Sequence, residues 1–65
     1  MWEITLIGNA EDYMHFLVFE KMIKTKFESN VIVAISENNY ATSISIAVKS
    51  KKFIFNIKKL IKKMK

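Results

Sequence analysis

The order of apolar and polar positions divides the 65-residue chain into five segments. Trp2-Glu3-Ile4-Thr5-Leu6-Ile7 alternates with period two, which predicts a strand with Trp2, Ile4 and Leu6 on its buried side. Gly8 ends that run, and Asn9 suits a helix N-cap. Glu11 and Asp12 follow in the first turn, where the helix dipole favours anions. Residues 10–27 hold no Gly or Pro and predict a helix, which Glu28-Ser29-Asn30 breaks.

Residues 31–36 and 41–48 are β-rich runs on either side of Asn38-Asn39. Asparagine tolerates positive φ, so this pair suits a two-residue primed hairpin turn. In the register that follows, Glu37 faces Tyr40, Ile35 faces Thr42, Val33 faces Ile44 and Val31 faces Ile46. Large apolar residues then share one face. The other face gathers Ser36 with Ala41, Ala34 with Ser43 and Ile32 with Ser45. A one-residue slip would destroy that sorting.

Two readings fit the last segment. As a helix from about Lys51 to Met64, it sets Phe53, Ile54, Ile57, Leu60, Ile61 and Met64 on one stripe, with Lys58, Lys59, Lys62 and Lys63 opposite. Alternatively, residues 52–55 form a short fourth strand and the helix begins at Asn56. Lysines at a helix N-terminus oppose the dipole and favour the second reading; the helical spacing favours the first, which is adopted. The β-α-β-β-α order predicts one α+β domain over residues 1–65, with a three-stranded, mostly antiparallel sheet and helices on one face. The first strand lies beside the hairpin, at the centre or at an edge.

Composition narrows the chemistry. There is no Cys and a single histidine, His15, so no disulfide framework, structural zinc cluster or cysteine nucleophile can be built. No cofactor is implied. The start of the chain lacks a basic, then apolar, leader pattern, and its longest apolar run is only Val31 to Ile35. A soluble, cytoplasmic protein is the expectation. Asp12 and Glu11 sit within helical reach of His15, but no glycine-bearing nucleophile turn or phosphate-cradling loop accompanies them. A serine such as Ser43 or Ser45 would have to be brought to His15 to complete a relay. The reading is non-enzymatic.

Charge is divided unevenly along the chain. Residues 1–48 sum to −3 and residues 49–65 to +8, with eight Lys and no acid. A genome rich in A/T would account for the choice of Lys over Arg, but not for this clustering. Lys51, Lys52, Lys58, Lys59, Lys62, Lys63 and Lys65 suit contact with phosphates or an acidic partner. Phe55 discriminates between the readings of the last segment: in a continuous helix its ring lies exposed among lysines and is free to stack on bases. With no Arg present, bidentate reading of base edges is not expected.

The long helix carries more apolar surface than one buried face needs. Phe16, Phe19, Ile23 and Phe27 form one stripe, and Met14, Val18 and Met22 form a second about 140° away. Tyr13 and Leu17 make a third patch. The C-terminal helix covering the second stripe is one reading; the other makes Met14, Val18, Met22, Tyr13 and Leu17 the candidate interface, with self-association into a homodimer or larger assembly as the expected use. The sheet face bearing Ala34, Ser36, Ala41, Ser43, Ser45 and Ala47 is a weaker candidate surface.

Ser50-Lys51-Lys52, opening a basic last helix after a hairpin, resembles the end of double-stranded-RNA-binding domains over about 15 residues. The chain departs from that family in starting with a strand and in lacking its glycine- and histidine-bearing loop, so no residue role is carried over. The layout is similar, in outline only, to small ribosome-associated factors. Its size and Lys/Ile/Asn-rich composition are similar to those of phage and mobile-element accessory proteins that dock on host machinery. The expected function is a non-enzymatic, self-associating interaction protein; the alternative is sequence-independent nucleic-acid binding through the Lys-rich C-terminal segment.

Overall fold

The computed structural model describes residues 1–64, with side chains through Lys63. The expected places of Met64 on the apolar stripe and of Lys65 among the cations lie outside the described side chains. Strand β1 (Trp2–Asn9) leads through a 3-10 turn at Ala10–Asp12 into helix α1 (Tyr13–Phe27). A second 3-10 turn, Glu28–Asn30, precedes β2 (Val31–Glu37), β3 (Ala41–Val48) and helix α2 (Lys51–Met64). The sheet is antiparallel in the order β1-β3-β2, so β1 is an edge strand and β3 the central one. The expected α+β layout is the one observed.

The molecule measures 33 × 22 × 16 Å, room for a sheet and one helical layer. Phe16, Phe19, Ile23 and Phe27 of α1 and Ile57 of α2 pack on Val31, Ile44, Ile46 and Val48 of the sheet. Ile4, Leu6, Val33, Ile35, Phe53, Ile54, Leu60 and Ile61 extend that core as half-buried residues. The rings of Phe27, ending α1, and Phe53, starting α2, meet edge-on at 5.7 Å. Phe16, early in α1, shares a cavity with Ile61, late in α2, so the helices run antiparallel. Among the described residues no element covers the opposite face of the sheet: Ile7 and Ile32 are exposed there, around the small side chains of β3.

Several local expectations are corrected. The first strand continues through Gly8 to Asn9, and residues 10–12 form a 3-10 turn rather than the first α-turn. The Asp12 carboxylate accepts the Asn9 N–H at 2.8 Å, and the buried Thr42 hydroxyl donates to the Ala10 carbonyl at 3.3 Å, which ties this turn to β3. Trp2, expected on the buried side, is 48% exposed: it sits where the sheet ends and Lys51 of α2 covers only part of its ring. The possible fourth strand at 52–55 is absent, because α2 is continuous from Lys51. Helical spacing brings Phe53, Ile54 and Ile57 onto the core together, whereas a strand would have turned Ile54 away from Phe53.

The hairpin register also differs. Glu37 pairs with Thr42, Ile35 with Ile44, Val33 with Ile46 and Val31 with Val48, a shift of two residues from the expected pairing. A primed two-residue turn needs positive φ at both central positions. Among the described residues Glu28 is the only non-glycine residue with positive φ, so Asn38 and Asn39 do not form such a turn. Instead the Asn38 Oδ1 accepts the N–H groups of Tyr40 (2.7 Å) and Ala41 (2.9 Å), while its own N–H donates to the Ala41 carbonyl (3.0 Å). The side chain stands in for a main-chain acceptor and closes a wider loop.

Candidate functional site

Packing the apolar stripe of α2 on the sheet commits its other side to solvent. Lys51, Lys52, Phe55, Lys58, Lys59, Lys62 and Lys63 are all exposed there. At 1.5 Å rise per residue, this face extends about 18 Å from Lys51 to Lys63. Phe55 is 70% exposed at its centre, with Lys51 and Lys52 one turn before it and Lys58 and Lys59 one turn after. The Lys59 Nζ lies 6.0 Å from the Phe55 ring centroid, and Lys52 Nζ lies 5.3 Å from that of Phe53.

The electrostatics of this face are one-sided. Among the described residues the basic–acidic contacts are the Lys24–Glu20 ion pair on α1 (3.5 Å) and the looser His15–Asp12 approach (3.9 Å). None involves a lysine of α2. Lys58 with Lys62, and Lys59 with Lys63, stand four apart, a spacing at which like charges destabilise a helix by about 0.2–0.5 kcal/mol per pair. Lys51 and Lys52 oppose the positive end of the helix dipole as well.

Sequence reasoning missed Trp2 as part of this neighbourhood. Lys51 Nζ sits 5.4 Å from the centroid of the indole, so the start of β1 brings a half-open aromatic ring to the first turn of α2. Alternation along β1 placed this side chain on the helix-bearing face, but not at its uncovered end.

On α1, Met14 (65% exposed), Val18 (67%) and Met22 (41%) form an open row on the side away from the sheet, while Tyr13 and Leu17 are half-buried at its flank. Lys21, Thr25 and Lys26 border the row around Val18 and Met22 in a shallow groove.

A cavity of about 290 Å³ lies between β1, the start of α1 and the end of α2, lined by Leu6, Ile7, Gly8, Asp12, His15, Phe16 and Ile61. Its one imidazole and one carboxylate stand beyond hydrogen-bond distance of each other. Ser43 and Ser45 share the outer sheet face with Ile7 and Ile32, so no serine relay with His15 is assembled there. Among the described residues no group of three or more His, Asp or Glu side chains is placed to hold a metal ion. No helix among them is long and apolar enough to cross a membrane. Comparison with known proteins returns no matching family model, no matching curated protein and no matching solved structure, which leaves the functional reading to these surfaces.

Proposed function

We propose that this chain is a non-catalytic docking protein whose cationic α2 face binds nucleic acid through the phosphate backbone, without reading base sequence. The observation that supports it is the exposed lysine face of α2, which carries no carboxylate partner among the described residues. Repulsion among those lysines is relieved when a polyanion is bound, so complex formation gains both the new contacts and the lost strain. Insertion of α2 into a lipid surface would require its apolar stripe, and that stripe is committed to the core, with Ile57 fully buried.

Anisotropy titrations of labelled single strands and duplexes test the reading. Neutralising about four phosphates implies a loss of roughly 50-fold in affinity for a single strand between about 50 and 200 mM salt. The combined variant Lys58→Gln, Lys59→Gln, Lys62→Gln and Lys63→Gln should abolish most of the binding and flatten the salt slope. Absence of binding at about 50 mM salt would exclude the proposal, because that is where phosphate contacts are strong.

A second reading has its own observation. The open Met14–Val18–Met22 row suits contact with another copy of the chain, since the helix gains nothing from exposing it to water. Sedimentation over a range of concentrations would then give a mass above 7.6 kDa that Val18→Glu returns to the monomer value.

A further inference from the structure

Two exposed aromatic rings, from opposite ends of the chain, flank one lysine at the start of α2. Trp2 reaches this point from β1 and lies under the Lys51 ammonium, 5.4 Å from centroid to Nζ. Phe55 stands one helical turn beyond Lys51 on the same helix face, with Lys59 Nζ 6.0 Å from its ring. Trp2 is 48% exposed and Phe55 70%, so each offers ring surface to a ligand. Cations alternate with rings over this patch.

We infer that the ligand of the α2 face is a single-stranded nucleic acid, with unpaired bases stacking on Phe55 and Trp2 while Lys51, Lys52, Lys58 and Lys59 hold the phosphates between them. This rests on the preceding proposal and narrows it to unpaired strands. A duplex offers only its backbone to such a patch, because its bases are already stacked on one another. A single strand offers π-faces and phosphates in alternation, which is the order of groups on this surface. An anionic membrane would be served by the lysines as well. Phe55, however, stands among ammonium groups, and the exposed apolar surface at the other ring is limited to Trp2 and Met1, with the Lys51 ammonium beside the indole.

Trp2 is the only tryptophan, so its fluorescence reports on the patch alone. An oligothymidylate of about 15 nucleotides should quench that emission on binding, whereas a duplex of equal length should leave it nearly unchanged. Phe55→Ala should weaken single-strand binding by roughly 5- to 100-fold and duplex binding by less than about 2-fold. Trp2→Leu, followed by anisotropy, should act in the same direction. Circular dichroism of both variants separates lost stacking from lost fold.

Equal binding of single strand and duplex, unchanged by Phe55→Ala, would overturn the stacking inference while leaving backbone docking in place. Loss of all nucleic-acid binding in the wild-type chain would remove both. Vesicles with anionic headgroups that shift the Trp2 emission to the blue, with no quenching by the oligonucleotide, would assign the patch to a lipid surface and overturn the inference.

Discussion

Two single positions carry constraints out of proportion to their size. A Cβ at Gly8 would lie 2.6 Å from the Asp12 Oδ2 and 3.1 Å from the Phe16 Cζ. The Asp12 carboxylate is held there by the Asn9 N–H, so Gly8→Ala forces it off its donor and presses on a buried ring. A loss of about 1–2 kcal/mol is expected. Asp12→Ala removes the same hydrogen bond, so the two substitutions should cost less together than their sum, by about 1 kcal/mol in a denaturation double-mutant cycle. Strict additivity would mean that Asp12 is not what Gly8 accommodates. Glu28 is the second position: its φ of 52° and ψ of −125° belong to a region that suits glycine and strains a side chain. Glu28→Gly should therefore raise stability by about 1 kcal/mol, and the melting temperature by several degrees. A lower melting temperature would show that the turn is unstrained.

At the level of elements, α2 shows how packing and presentation divide one helix. Ile57 is fully buried, and Ile57→Ala should cost about 2–5 kcal/mol. Domains of this size seldom hold more than about 3–5 kcal/mol, so the variant should lose its cooperative melting transition in circular dichroism. Phe55→Ala, two residues away, should change stability by no more than about 0.5 kcal/mol. The exposed position of Phe55 followed from helical spacing once the helix was taken to begin at Lys51. That choice was not forced, because Phe53-Ile54-Phe55 satisfies a strand as well as a helix. Alternation likewise assigned every residue of the hairpin to its correct face and still missed the register. A shift of two residues leaves the faces unchanged, and the observed pairing is the one whose loop the Asn38 side chain closes. Trp2 was the larger miss. Its exposure depends on where α2 lies over the end of β1, a long-range placement that no local pattern encodes.

Across the whole molecule, charge opposes compactness. Residues 49–65 carry +8 against −3 for the rest of the chain, and the one lysine–carboxylate pair among the described residues, Lys24–Glu20, lies on α1. Screening should therefore stabilise the fold. Raising sodium chloride from about 10 to 300 mM shortens the Debye length from roughly 30 Å to under 8 Å, which removes repulsion between neighbouring turns of α2 more than it weakens the sparse attractive pairs. The melting temperature should rise over that range. Lys58→Gln with Lys62→Gln should raise it at low salt and reduce its dependence on salt, since both act on the same repulsion. A saturating oligonucleotide should give a gain without added salt, by binding the folded state more tightly than the unfolded chain. A melting temperature that fell with salt would mean that attraction between the acidic body and the basic helix dominates. The lysines of α2 would then already be neutralised within the protein, and the reason for expecting them to seek a polyanion would be gone.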